Sequence, residues 1–285
     1  MSVAMEGGRR KLVFIYSYGM GGWGDLLKGL HTCWCWADQT NRELYIDFSR
    51  HIFGKIYPQY AVDLVATCTQ TLNLLDKTGQ IGVSDIAALE ADTVGIVCNW
   101  FSPASVKSVP SEVVLRYFAK VYTELFPIRS LGNMGSYNVF HCRMGDKYLS
   151  EAYACKGDNR MGSMGEVMTK LGLYKEGIGA GRRTLVCSDH EGMIRSLLQQ
   201  IPSSVCLCRE PYHIAYYTAD IERRIESIRE MIEEHCAMSR ARQIFMVSYS
   251  GFPITAAMIG NVPLLLGGEM YHDEYVDFIQ RLRSV

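Results

Sequence analysis

A run near the start of the sequence, KLVFIYSYGMGGWGDLLKGL, limits what this chain can become. Residues 12–16 are an apolar stretch of strand length that passes straight into a loop with glycines at 19, 21, 22 and 24, and residues 24–37 then read as a helix. A strand that turns through glycine into a helix opens a βα unit, and such units stack into mainly parallel sheets. Gly19, Gly21 and Gly24 also fit G-x-G-x-x-G, the fingerprint of dinucleotide binding. Asp47 stands about as far along as the acidic residue that holds a ribose in those folds. Asp25 points the other way: a dinucleotide fold must accept an anionic pyrophosphate at this helix start, and a carboxylate there adds like charge.

The alternation continues along the chain. Residues 43–48 read as a strand, 61–75 as a helix, 93–100 as a strand, and 112–125 as a helix with Val113, Val114, Tyr117 and Val121 near helical spacing. The segment PIRSLGNMGSY, with Pro127, Gly132 and Gly135, carries the breakers of an interdomain linker. Beyond it, strands are expected at 137–143, 184–188, 203–207, 243–247 and 262–266, and helices at 191–200, 255–260 and 271–282. Ile221, Ile225, Ile228, Ile232 and Cys236 form an apolar stripe on a charged helix, the mark of a core face rather than a cofactor box. A chain of 285 residues with 48% apolar content has room for two domains at about 100–200 residues each. The expected architecture is α/β, with two Rossmann-like domains at 1–128 and 129–285 facing a cleft, the last helix being free to pack back on the first domain.

Charge and cysteine usage exclude several classes. A net charge of −1 and a pI near 6.7 supply no footprint for nucleic acid. Cys98, Cys142, Cys187 and Cys206, four of the ten cysteines, fall in apolar strand-like runs where a thiol acts as a small hydrophobe, so a reducing compartment is expected. Cys33-x-Cys35 and Cys206-x-Cys208 lack the spacing of common zinc pairs, and no Asp-x-Asp is present to bring a divalent cation to a nucleotide diphosphate. No metal is expected. The N-terminal apolar stretch is too short to span a membrane and lacks a small-residue cleavage site, so the protein reads as soluble and cytoplasmic, without anchor or leader.

Ligands in open α/β sheets sit at the carboxyl ends of the strands. In the second half, FHCRMGDKY at 140–148, VCSDHEG at 186–192 and VSYSGFPITAA at 247–257 occupy such places. Arg143 carries a permanent charge that forks onto phosphate oxygens, or else pairs structurally with Asp146. His141 lies two positions earlier on the same strand face, available to a ligand or satisfied in the core. Asp189 opens a helix, where an N-cap is the plain explanation. Ser248, Ser250, Gly251 and Phe252 form a strand-to-helix turn whose hydroxyls and N–H groups suit an anion, or simply cap the helix that Pro253 helps to start.

FHCRMGDK resembles the His-x-Arg-x-x-Asp motif of the α1,2-, α1,6- and protein O-fucosyltransferase superfamily, which includes the bacterial nodulation fucosyltransferases. VCSDHEG resembles its Ala-Thr-Asp strand end, VSYSGF its Ser-Ser-Phe-like phosphate loop, and GMGGWGDLLKGL its first glycine loop. The four motifs run in order from residue 19 to 252. Met144-Gly145 replaces the second arginine of some branches, and His190 a second acidic residue.

The resemblance implies a GT-B-type glycosyltransferase that is inverting, needs no metal, and moves fucose from GDP-fucose to a glycan or related hydroxyl acceptor. The first domain would then be the acceptor side and the second would bind the nucleotide sugar. Arg143, with His141 and the Ser248, Ser250, Gly251 and Phe252 turn, would hold the donor diphosphate, and Asp189 would accept hydrogen bonds from guanine. Gly21 and Gly22 would let the donor approach, and Asp25 would act as general base or orient the acceptor, unless it only caps its own helix. The glycine-rich segment 157–181 would be a mobile surface element shaping the acceptor side or closing over donor. Without an anchor or leader, the setting implied is cytosol-facing, in a bacterial or virus-encoded enzyme. Three other readings stay open: the same fold with another nucleotide sugar, such as a xylose or rhamnose donor; an NAD(P)-dependent oxidoreductase that uses the glycine loop; and a catalytically silent sugar- or nucleotide-binding protein.

Overall fold

The computed structural model describes residues 9–75, 81–101, 108–129, 134–145, 164–178, 182–211, 214, 219–272 and 274–283. The chain divides into two compact units, one formed by the chain up to Gly21 with Asp25–Tyr117, the other by Gly22–Gly24 with the chain from Phe118 onward.

In the first unit β1 (Lys11–Ile15), β2 (Glu43–Asp47), β3 (Gln70–Asn73) and β4 (Thr93–Val97) form a parallel sheet in the order β2-β1-β4-β3. Every residue of β1 after Lys11 is buried, which is why it reads as one apolar run with no polar alternation. Helix α1 (Trp23–Gln39) connects β1 to β2; α2 (Phe53–Ile56) and α3 (Val83–Ala87) are short. Helix α4 (Ser111–Lys120) runs into a π-helical turn, Val121–Leu125, where one continuous helix was expected.

The helix expected at 61–75 is absent. A 3₁₀ turn at Val65–Thr67 and strand β3 take its place. The Asp47 carboxylate takes the Leu64 N–H at 2.7 Å, and the Thr69 N–H donates to the Thr93 carbonyl at 3.0 Å, so this backbone is committed to β4. The Thr-rich segment also favours a pleated edge over a helix.

In the second unit β5 (Asn138–Cys142), β6 (Thr184–Ser188), β7 (Ser204–Val205), β8 (Gln243–Met246), β9 (Leu264–Leu266) and β10 (Glu269–Met270) follow the order β10-β9-β8-β5-β6-β7; all pairings are parallel except β9 with β10. Its helices are α5 (Met164–Leu173), α6 (Glu191–Gln200), α7 (Ile225–Met238), α8 (Gly251–Gly260) and α9 (Glu274–Leu282), of which α5 and α6 give side chains to the sheet core. Phe140 stacks on Phe245 at 5.5 Å, and both belong to a core with Val167, Leu171, Met193 and Leu197. Of the expected stripe, Ile221, Ile228, Ile232 and Cys236 are buried and Ile225 is half-buried.

Helix α8 begins at Gly251, ahead of the expected Thr255, and takes in the whole Gly251-Phe252-Pro253 turn. The segment 157–181, expected to be a mobile surface element, is ordered into the core over its described part. Residues 164–178 are helical, and Val167, Leu171 and Tyr174 are buried, because their apolar faces complete the sheet core. Its remaining residues, Asp146, and part of the expected linker lie outside the described residues.

Candidate functional site

The order β8-β5-β6 places the ends of three strands side by side. From β5 the chain proceeds to β6 and β7 on one flank, whereas β8 and β9 lie on the other. The topological switch therefore falls between β5 and β8, where open α/β sheets leave a crevice. Arg143 follows β5, Asp189 follows β6 and Ser248 follows β8. The Ser248 hydroxyl donates to the Arg143 carbonyl at 3.1 Å, and Arg143 Nη1 lies 3.6 Å from Asp189 Oδ2.

Asp189 does not cap its helix. The N-cap is His190, whose Nδ1 accepts the Met193 N–H at 3.1 Å. Asp189 instead receives the Met144 N–H at 2.7 Å and the Gly145 N–H at 3.0 Å on its two oxygens, so it clasps the turn that carries Arg143. Replacing Asp189 by alanine strands both N–H groups in a buried turn, a loss of about 1–3 kcal/mol per unsatisfied group. Urea unfolding should report a drop of this order for Asp189→Ala and a smaller one for Asp189→Asn, which keeps one acceptor oxygen. Equal stability of Asp189→Ala and wild type would refute the clasp.

His141 is buried, and its Nδ1 has no hydrogen-bond partner among the described residues. Burial, reinforced by the Arg143 charge, lowers its pKa to about 3 and keeps the ring neutral. It is not the satisfied core histidine of the plain reading: a buried polar atom without a partner is uncommon and marks a place to look for a ligand. The ring stacks on Phe252 at 6.2 Å.

Ser250 occupies the N-cap of α8 with extended backbone, yet its side chain makes no capping bond. Pro253 has no N–H, so the first-turn donors are Gly251 and Phe252, and among the described residues neither meets an acceptor. This end of α8 keeps the N–H groups and partial positive charge that favour an anion. Tyr249, on the same turn, is half exposed and tilts against Tyr271 at 6.2 Å.

Gly21 and Asp25 belong to the first unit. Gly21 has φ +108°, and a Cβ there would collide with the Asp25 carboxylate, so its glycine is required by the loop itself. Asp25 is in the first turn of α1, ion-paired with Lys28 at 3.1 Å. Gly22 would point a Cβ into open space. Gly24 has a different reason: a Cβ would lie 2.8 Å from the Gly251 carbonyl and 3.0 Å from the Phe252 nitrogen, both in the same unit as Gly24.

Asp47 is buried and accepts from the Ser49 N–H, the Ser49 hydroxyl and the Leu64 N–H at 2.6–2.8 Å. A carboxylate so enclosed organises its turn and is not presented to a ribose. The oxidoreductase reading loses its acidic residue.

Sequence reasoning missed two features of this region. Lys170 Nζ donates to the Val247 carbonyl at 2.8 Å while pairing with Glu166, which brings a second cation to the end of β8. Tyr122, His235 and Thr255 form a buried polar chain behind the α8 turn. The only hint of the latter was the polar pair Glu234-His235 interrupting the last turn of an apolar stripe. Among the described residues no group of three His, Cys, Asp or Glu is arranged to hold a metal, the nine described cysteines are free thiols, and no helix is long and apolar enough to cross a membrane.

No protein-family model matches the sequence, and no curated protein matches it. Solved structures do. The fucosyltransferase NodZ from Bradyrhizobium aligns over 93% of this chain and 98% of its own, with a TM-score of 0.53 at 15% identity. The chain shares its fold with NodZ. Crystals of NodZ alpha-1,6-fucosyltransferase soaked with GDP-fucose, and others co-crystallized with GDP, each align over 90% of this chain and 94% of theirs, with TM-scores of 0.51 at 16% identity. At this identity the likeness is one of fold, and it is the α/β fold with parallel sheets that the motifs implied.

Proposed function

We propose that the protein is a glycosyltransferase that moves fucose from GDP-fucose to a hydroxyl acceptor, with the second unit binding the donor and the first presenting the acceptor across a GT-B-type cleft. The observation that carries this reading is the juxtaposition at the β5–β8 switch point. There Arg143 is tied by its carbonyl to Ser248 and by its guanidinium to Asp189, on the same sheet edge as the open N-terminus of α8. A fixed guanidinium beside free helix N–H groups is built for a diphosphate. Support also comes from the fold shared with NodZ, whose crystals were soaked with GDP-fucose.

In the reaction proposed, the acceptor oxygen bonds to the anomeric carbon from the face opposite the diphosphate, and the configuration inverts. The bond from that carbon to the phosphate oxygen breaks, and its electron pair leaves on GDP. Arg143 and the α8 turn stabilise the charge that grows on the leaving group, in place of a metal ion. The acceptor proton passes to a carboxylate, and Asp25 is assigned that role on the acceptor side. Asp189 keeps lone pairs beyond those given to Met144 and Gly145 for the guanine edge. Gly22, open to space, gives the donor room. A cytosol-facing setting suits the thiols.

Thermal shift against GDP, UDP, GDP-fucose, UDP-xylose, NAD and NADP tests the reading, because a ligand that binds only the folded state raises Tm by mass action. Stabilisation by GDP and GDP-fucose is expected. A response to UDP alone would replace the donor, and a response to NAD or NADP alone would overturn the glycosyltransferase.

A further inference from the structure

Behind the α8 turn lies a chain of hydrogen bonds whose direction is forced by its ends. Trp23 Nε1 can only donate, and does so to the Tyr122 hydroxyl at 3.2 Å. At the other end the Thr255 hydroxyl donates to the Gly251 and Phe252 carbonyls at 2.8 and 3.0 Å, and carbonyls can only accept. Between them His235 contacts Tyr122 through Nδ1 and Thr255 through Nε2, the latter at 2.9 Å. With its one proton committed to the carbonyls, Thr255 must accept from His235 Nε2–H. His235 Nδ1 must then accept the Tyr122 proton, which leaves the Tyr122 oxygen to receive Trp23. All four side chains are buried and lie in the second unit.

A threonine bonded back to the carbonyl four residues earlier is ordinary in helices. A threonine that is itself held by a buried histidine, tyrosine and tryptophan is not. The chain ends on the two carbonyls of the first turn of α8, and the Gly251 carbonyl shares its peptide plane with the Phe252 N–H. Holding the oxygen on one side fixes the N–H on the other. The Phe252 ring is gripped as well, edge-on to His235 at 4.6 Å and stacked on His141.

We propose that His235, acting through Thr255, is a positioning residue that aims the Phe252 N–H group at the donor diphosphate. The inference rests on the proposed donor site. It separates phosphate binding from base binding: loosening the turn should weaken ligands that carry a diphosphate and spare those that do not.

The test compares GDP, by calorimetry, with guanosine, by ligand-observed NMR, on wild type, Thr255→Val, Thr255→Ser and Tyr122→Phe. Thr255→Val is nearly isosteric and removes only the hydroxyl. About a five- to tenfold loss of GDP affinity with guanosine unchanged is expected for Thr255→Val and Tyr122→Phe, the worth of one lost hydrogen bond of orientation, while Thr255→Ser retains wild-type affinity. If Thr255→Val does not fold by circular dichroism, Tyr122→Phe carries the comparison. Unchanged GDP affinity, or equal losses for GDP and guanosine, would overturn the positioning role. A wild type that binds no GDP would overturn instead the donor site on which it rests.

Discussion

Replacing Arg143 by alanine is expected to lower turnover of GDP-fucose by about 10²–10³-fold, the usual cost of removing one preorganised stabiliser of transition-state charge. The Tm shift given by GDP should vanish in the same variant. The fold should survive, because the turn around residue 143 is held by backbone: the carbonyl receives Ser248, and Asp189 receives the Met144 and Gly145 N–H groups whether or not the guanidinium is present. Arg143→Lys keeps the charge and loses the fork, so it should recover GDP binding in part and turnover less. Calorimetry with GDP and an assay of GDP release measure both. An Arg143→Ala protein that keeps wild-type turnover would remove the cation from the mechanism, and one that binds GDP as before would move the donor site elsewhere.

The second large effect is on stability against pH. His31, His141 and His235 are each lowered to about 3 from 6.5, by burial first in every case. The unfolded chain takes up these protons below pH 6.5 and the folded chain does not, so stability falls as the pH falls from about 6.5 toward 3. The limiting slope is about 1.4 kcal/mol per pH unit for each histidine. Glu234 runs the opposite way. Burial raises it to about 8 from 4.5, against the Cys208 N–H that donates to it at 3.2 Å. The folded chain therefore holds a proton that the unfolded chain has released, and stability falls as the pH rises from about 4.5 to 8. Three histidines outweigh one glutamate until most of the unfolded histidines are neutral, which places maximal stability near pH ~7. Urea unfolding between pH 5 and 8.5 should trace that dome. Glu234→Gln should flatten its alkaline side and leave the steep acid side intact. A dome that keeps its alkaline slope in this variant would locate the proton on another group.

Much of the architecture was legible because the first sheet is wholly parallel, the second is parallel but for β9 with β10, and their inner strands are buried. Strands such as those at 12–16 and 184–188 read as uninterrupted apolar runs, and the helix at 191–200 carried its periodicity plainly. The segment 61–75 looked helical until the Asp47 carboxylate and the β4 edge claimed its backbone, and neither partner is local to it. The helix expected from Thr255 begins at Gly251, because Gly251 and Phe252, placed by the sequence in the strand-to-helix turn, already have helical backbone ahead of Pro253.

The α/β class, the apolar stripe leading into α7 and the order of motifs that end strands depend on local composition and spacing, and so are written in the chain. What the charged residues do at those strand ends depends on packing. It enclosed Asp47 in its own turn, moved the cap from Asp189 to His190, and gave Asp189 to the turn of Arg143. It also built the path from Trp23 to Thr255 out of separate elements. The reason is physical: a side chain's partner is chosen by which strand ends lie side by side, and strand order is a property of the packed sheet.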